Sequence, residues 1–336
     1  MSLNPPFLNL VIPCFNEEEV FPETAKRVTN LLNDLVKDGH VSSESCAYFV
    51  DDGSRDRTWA LIEEQSEIST RVRGIKLSRN FGHQYALMAG LLNVPGQVTI
   101  SLDADLQDDL GAIRDMIVEY RKGADIVFGV RSARTHDTRF KRWTARGYYK
   151  LLELMGVEVI YDHADYRLLS RRAIEALREF QESNLFLRAL IPRLGFKAAI
   201  VKYDRAERFA GESKYPLRKM LSLALQGITS FSVRPLRMVT QLGLAISFLS
   251  LGLGLWALIS AIVFEATVPG WASTVVPIYF VCGVQMLCIG IVGEYTGKIY
   301  LETKRRPRFI VEKSTENNPH SNSQDLLHLT SNAKPA

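Results

Sequence analysis

The stretch VTISLDADLQ, residues 98–107, decides the fold reading. Five β-prone, mostly apolar residues run directly into Asp103-Ala104-Asp105. Alternate residues at a strand end point the same way, so both carboxylates can reach one hard cation such as Mg2+ or Mn2+. A DxD tripeptide alone is ambiguous, because acidic pairs also cap helices. Its surroundings carry the argument further. LNLVIP (8–13), AYFVDDGS (47–54), VRGIKLS (72–78) and DIVFGVR (125–131) are strands of the same kind, with helical patterns such as TWALIEEQSEI and IRDMIVEYRKG between them. Strands alternating with helices predict an α/β domain with a mostly parallel sheet covered on both faces. Ligands of such sheets bind beyond the carboxyl ends of the strands. Here those ends carry Asn16-Glu17, Asp51-Asp52, Asp103 with Asp105, and Arg131, so one polar crevice is expected. No GxGxxG follows the first strand and no GxxxxGK[ST] occurs, which counts against dinucleotide redox and P-loop chemistry. A nucleotide held by carboxylates rather than by a glycine-rich turn stays open.

The chain has 336 residues, 46% hydrophobic and 23% charged, an ordinary soluble average that conceals a split. Residues 239–293 hold a single charge, Glu265. Two apolar runs, 239–264 and 275–293, flank the break EATVPGWAST (265–274). About 20 apolar residues cross a bilayer; hiding both runs inside a soluble protein would need an unusually large core. Arg234 and Arg237 precede the first run, Lys298, Lys304, Arg305, Arg306 and Arg308 follow the second, and the loop has neither Lys nor Arg. The positive-inside rule then puts both chain ends in the cytoplasm. MSLNPPF has no basic start followed by an apolar run, so no cleavable signal is expected. A net charge of +4 without a basic, aromatic-interleaved run argues against nucleic acid. Cys14, Cys46, Cys282 and Cys288 form no CxxC pair and read as packing residues.

This gives an expected organisation of a catalytic domain over 1–214, a juxtamembrane amphipathic helix within 215–235, a transmembrane hairpin over 236–297, and a cytoplasmic tail over 298–336, disordered after about 313. RFIVEK (308–313) is β-prone, and pairing with another subunit is one reading of it; Gly243, Gly252 and Gly254 offer small-residue faces for a homo-oligomer.

LVIPCFNEEE (10–19), VDDGSRDRT (50–58) and SLDADLQDD (101–109), in this order, resemble the inverting glycosyltransferases of the GT-A fold that use nucleotide sugars. LSRNFGHQYALMAGL (77–91), FGVRSAR (128–134), DYRLLSRRAIEAL (165–177), ERFAGESKY (207–215) and VGEYTGKIYLETKRRPRFIV (292–311) narrow the resemblance to the polyprenyl-phosphate glycosyltransferases, over residues 7–312. That resemblance implies a Rossmann-like GT-A domain with two transmembrane helices and a set of residue roles. Pro13, Asn16 and Glu17 match positions that hold the nucleotide base and ribose, and Asp52 one placed for the base. Asp103 would lie against ribose and diphosphate. Asp105 would ligate Mg2+ or Mn2+, with Asp103 and Gln107 as further metal contacts. Without the resemblance, Glu17 reads as a helix N-terminal acid and Asp52 as a turn carboxylate.

The implied acceptor is a polyprenyl phosphate, undecaprenyl phosphate in bacteria, met at the cytoplasmic face of the inner membrane. A phosphate monoester with a second pKa of about 6 is already a nucleophile. It needs cations that hold it in line, a role for which Arg131, Arg208 and Lys214 match, with Ser213 as an added donor. Asp165 is read as an orienting or proton-accepting carboxylate, or as the partner of Arg167. His83 and His163 are isolated in sequence and read as surface or packing residues. The expected reaction is transfer of one sugar, with UDP-glucose the favoured donor and GDP-mannose or a modified arabinose donor left open. A processive polysaccharide synthase is disfavoured, because Arg139 stands where its QxxRW motif needs Gln before Arg142-Trp143. A non-catalytic scaffold or lipid-flipping partner is disfavoured by the intact Asp103, Asp105, Arg131 and Lys214.

Overall fold

The computed structural model describes residues 4–131, 163–180, 182, 185–204, 232, 234–263 and 271–316. Two compact units divide the chain: Met1–Thr138, Ile160–Lys214 and Pro307–Ala336 form the first, Arg139–Val159 and Tyr215–Arg306 the second.

All five predicted strands are present in the first unit, and helices separate them. The order is β1 (Leu8–Cys14), α1 (Phe21–Lys37), β2 (Cys46–Asp51), α2 (Thr58–Ile68), β3 (Val72–Leu77), α3 (His83–Asn93), β4 (Val98–Ser101), α4 (Ala112–Arg121) and β5 (Ile126–Arg131). Then come β6 (His163–Ser170), α5 (Arg171–Arg178), the short α6 (Leu187–Leu190), β7 (Ala198–Tyr203) and finally β8 (Val311–Ser314). Among the described residues these make one eight-stranded sheet in the order β7-β5-β6-β4-β1-β2-β3-β8. Every residue of β1, β2 and β4 is buried, the mark of parallel strands covered on both faces. Along β1, Leu10 and Ile12 pack with Phe21, Val28 and Leu32 of α1 and with Ile113 of α4. Val11, one residue out of phase, joins Leu87 and Leu91 of α3 and Ile174 of α5. Pro22 presets the first turn of α1, with Glu23 in that turn and Lys37 in the last, each on the favourable end of the helix dipole.

β2 lies on one side of β1 and β4 on the other, both parallel to it. The strand order therefore reverses between β1 and β4, and beyond their carboxyl ends is where sheets of this kind place a ligand crevice. β6 breaks the parallel pattern, since it runs antiparallel to both β4 and β5. Its register pairs Arg167 with Ser101 of β4. Asp165, two residues earlier, thus arrives level with Asp103, two residues beyond Ser101.

β8 departs from the sequence expectation of a tail: it pairs within its own chain. Val311–Ser314 lies antiparallel to β3, with Ile75 opposite Ser314 and Leu77 opposite Val311. Beyond the strand, the Thr315 hydroxyl accepts from the Gly74 amide at 2.8 Å, while the Thr315 amide donates to the Gly74 carbonyl at 3.0 Å. Glu316 accepts from the Tyr48 hydroxyl and from Arg73 Nε, both at 2.9 Å. The sheet edge explains this: β3 would otherwise expose unpaired backbone groups.

The second unit contains α7 (Arg234–Val263) and α8 (Trp271–Thr303). By length and composition one helix among the described residues can cross a membrane, over Phe280–Thr303. It overlaps the second expected span. The first expected span falls on α7. The expected amphipathic helix at 215–231 lies outside the described residues, as do Arg208, Ser213, Lys214, Arg139 and Arg142-Trp143.

Removing the Glu316 carboxylate leaves the largely buried Tyr48 hydroxyl without that partner, a loss of about 1–2 kcal/mol. Glu316→Ala should therefore speed amide exchange across Val311–Ser314 by about tenfold. Unchanged exchange there would mean that the strand is held without this contact.

Candidate active site

The floor of the crevice is the loop that follows β4. Asp103 and Asp105 are half-buried, with Ala104 between them buried. Thr24 of α1 donates its hydroxyl to the Ala104 carbonyl at 2.9 Å and fixes the loop from below. Asp105 Oδ1 accepts from the Gln107 amide at 3.2 Å across Leu106, whose φ of 56° is left-handed. This Asx-type closure turns the chain so that Gln107 and Asp108 are buried behind the two carboxylates. Asp108 accepts from the Tyr203 hydroxyl at 2.6 Å, and the Arg131 guanidinium at the end of β5 lies 3.9 Å from the same oxygen.

Asp165 sits in the densest charge cluster of the site. Its Oδ1 receives Arg167, which is fully buried, and its Oδ2 receives Arg188 and Gln84 Nε2, each at 3.2 Å. His83 Nε2 lies 3.6 Å from Asp165 Oδ2 and 3.5 Å from Asp103 Oδ1. Burial alone would raise the Asp165 pKa, but His83, Arg167 and Arg188 more than reverse this and hold the carboxyl well below its usual range. Asp103 goes the other way. Burial pushes it up to about 6; His83 opposes the rise, and Asp165, Asp108 and Asp105 add to it. For His83 burial favours the neutral ring, yet the two aspartates leave its pKa raised.

On the nucleotide side the structure joins the turn after β1 to the turn after β2. Asn16, at a left-handed φ of 55°, donates its amide to Ser54 Oγ and accepts at Oδ1 from the Arg55 amide, both at 2.9 Å. The Glu17 amide donates to Thr58 Oγ1 at 2.9 Å. Pro13 is buried within β1 opposite Val50 and contributes shape rather than a polar group. Asp52 is buried, and its two oxygens accept the amides of Phe81 (2.7 Å) and Gly82 (2.8 Å). In this arrangement it clamps the loop that presents His83. Gly53, with φ +67°, permits the clamp, because a Cβ there would stand 2.5 Å from the Arg79 carbonyl carbon.

The site therefore gathers Asp103, Asp105, Gln107 and Asp165 and adds Arg131 at one side through Asp108. Sequence reasoning passed over His83, Gln84, Arg167 and Arg188 as site residues. His83 and Gln84 stand inside the quoted stretch 77–91 and Arg167 inside 165–177, so the motifs held the signal without saying what these residues touch. His83 is exposed, as the surface reading expects, and its ring also stands beside two site carboxylates.

Among the described residues no three His, Cys, Asp or Glu side chains form a ready-made metal cage. That is compatible with Mg2+ or Mn2+ bound through one or two carboxylates plus substrate phosphates. The donor set fits such an ion, since Asp103 Oδ1 is buried and accepts no hydrogen bond. Burial and the neighbouring Asp165, Asp108 and Asp105 raise its pKa to about 6 although His83 opposes the rise, and a cation would favour the charged form.

Residues 9–178 match the family model Glycosyl transferase family 2. The chain belongs to that family. It is 50% identical over 314 residues to an uncharacterized glycosyltransferase of Bacillus subtilis, YkoT, covering 93% of each chain. It is 40% identical over 313 residues to the SfII prophage-derived bactoprenol glucosyl transferase of Shigella flexneri, covering 93% of this chain and 99% of the relative. Among solved structures, glucosyl-3-phosphoglycerate synthase of Mycobacterium tuberculosis aligns over 67% of this chain and 78% of its own, at 17% identity and a TM-score of 0.42. A likeness of that size sets no residue correspondence. The family membership makes the protein a glycosyltransferase with a GT-A-like α/β domain, which transfers a sugar from a nucleotide sugar.

Cation binding at Asp103 requires the deprotonated carboxylate. With its pKa raised to about 6, the affinity of the protein for Mn2+ should fall about tenfold per pH unit below 6 and level off above it. Calorimetric titration from pH 5 to 8 measures this, and a profile flat down to pH 5 would place the cation elsewhere.

Proposed function

We propose that the protein transfers a single glucose, with inversion, from UDP-glucose to a polyprenyl phosphate at the cytoplasmic face of a membrane. The observation that carries this reading is the saturation of Asp165. An alcohol acceptor needs a base to take its proton. The carboxylate that the sequence offers for that task is engaged by two guanidiniums and an amide and has a depressed pKa. An acceptor that arrives as a phosphate needs no base. The 40% identity to a bactoprenol glucosyl transferase along nearly the whole chain supports the same acceptor and sugar.

The chain's own residues then divide the work. Asn16 and Glu17 line the base and ribose side, with Asp52 behind them as the clamp of the 81–82 loop. Asp103, Asp105 and Gln107 are the residues that would hold Mg2+ or Mn2+, and the ion would act as a Lewis acid on the departing diphosphate. Arg131, together with Arg208, Ser213 and Lys214, grips the acceptor phosphate and aims it at the anomeric carbon. Asp108, beside the Arg131 guanidinium, keeps that cation near the crevice.

We read α7 and α8 together as the membrane anchor. Strand pairing supports an even number of crossings: β7 and β8, which flank α7 and α8 in sequence, belong to one sheet, so the chain that leaves it after β7 returns to the same side. The segment 215–231 is then read as an interfacial helix, where an aqueous nucleotide sugar meets a phosphate that stays in the bilayer.

Purified protein should be offered UDP-glucose, GDP-mannose and an arabinose donor, each against undecaprenyl phosphate and against undecaprenol. Glucose should pass to the phosphate and no sugar to the alcohol; transfer to the alcohol would contradict the phosphate reading. Asp105→Ala should lower turnover at least about a hundredfold while the protein stays folded and membrane-bound. Full turnover of the wild type in excess chelator would remove the metal from the account.

A further inference from the structure

We propose that His83 is a positioning residue that ties the donor carboxylate Asp103 to the Asp165 cluster, so that the donor side of the crevice is set before the nucleotide sugar arrives. The inference rests on the donor-site reading of Asp103 given above. Its basis is placement. The imidazole Nε2 stands 3.5 Å from Asp103 Oδ1 and 3.6 Å from Asp165 Oδ2, and so lies between one side chain on the loop after β4 and one on β6. Asp103 Oδ1 is buried and accepts no hydrogen bond of its own. No hydrogen bond holds that oxygen, so the imidazole 3.5 Å away can restrain it through contact and charge rather than as a hydrogen-bond donor.

His83 can act as that restraint because it is itself held. It is the first residue of α3 and follows Gly82, whose φ of 103° few other residues adopt. The amides of Phe81 and Gly82 are gripped by Asp52, and at the start of the loop the Ser78 amide donates to the Ile310 carbonyl at 3.0 Å. The next side chain, Gln84, donates to Asp165 and accepts the Leu187 amide at 3.2 Å. Two consecutive side chains at the start of one helix therefore reach the same carboxylate. Asp165 is paired in turn with Arg167 and Arg188, so the chain of contacts from Asp103 ends on a buried, ion-paired group. Residues that orient a metal-binding carboxylate in this way alter affinity when removed, typically by about 10- to 100-fold.

The test uses the full chain in detergent or nanodiscs, as wild type, His83→Ala and His83→Gln. UDP binding in the presence of Mn2+ is measured by calorimetry, and KM and kcat are measured separately for UDP-glucose and for polyprenyl phosphate. His83→Ala should weaken UDP binding and raise the KM for UDP-glucose by about 10- to 100-fold, with the KM for the lipid within about twofold of wild type. His83→Gln should recover most of the loss, because its amide N–H can stand near the Nε2 position. A fall in kcat that follows the folded fraction, with both KM values unchanged, would make His83 merely structural and overturn the inference. A change in the lipid KM alone would overturn it as well, since the imidazole would then serve the acceptor. The binding measurement separates this inference from the acceptor reading: wild type that binds UDP and Mn2+ but glucosylates no polyprenyl phosphate sinks only the acceptor. Wild type that binds neither overturns both.

Discussion

The buried ion pair between Asp165 and Arg167 is the contact on which the rest of the site depends. Arg167 is fully buried and Asp165 is 5% exposed, and a charge so placed is tolerated only when it is paired and hydrogen-bonded. The pair exists because β6 runs antiparallel between β4 and β5, which brings its first residues to the end of the sheet where the parallel strands finish. Arg167 also donates to the Leu187 carbonyl, which docks α6 and with it Arg188. Gln84 and His83 then arrive on α3 and take their positions from the same carboxylate. Asp103 is the last member, its Oδ1 3.5 Å from His83 Nε2.

The two neighbouring aspartates end up with opposite character. Asp165 is surrounded by cations and stays charged far below neutral pH, whereas burial and three nearby carboxylates push Asp103 up to about 6. Environments that drive two carboxyls apart in this way assign them different tasks. The saturated one anchors the architecture. The one short of positive charge is suited to a cation and a nucleoside diphosphate. The division fits a reaction whose nucleophile comes already charged.

Much of the domain was legible in the sequence. β1 to β5 announce themselves by apolar runs closed by polar residues, and Asp103, Asp105 and Arg131 lie at strand ends where any α/β sheet presents its ligands. Other features depend on contacts between distant segments and leave little local trace. The direction of β6 is invisible to hydrophobic periodicity, which is the same for parallel and antiparallel strands. β8 is the short, charged VEKS, whose strand character comes from the open edge of β3 rather than from its own residues. His83 looks isolated along the chain and acquires partners only where three strands and α3 converge. Asp52 carries the charge expected of a ligand, yet its oxygens are spent on backbone amides 29 and 30 residues away.

The most direct test of the anchoring role of Asp165 is the unfolding free energy of Asp165→Asn at pH 7, measured beside its transfer rate at several pH values. A carboxyl with a depressed pKa contributes its full stabilisation above the unfolded-state pKa of about 3.9 and loses it as pH falls through the folded value. At pH 7 the substitution should therefore cost about 3 kcal/mol or more, because it leaves the buried Arg167 uncompensated, and transfer should fall at every pH without a change in the shape of the profile. Wild-type stability, with turnover lost and then restored as the pH is raised, would contradict the account and make Asp165 a proton acceptor.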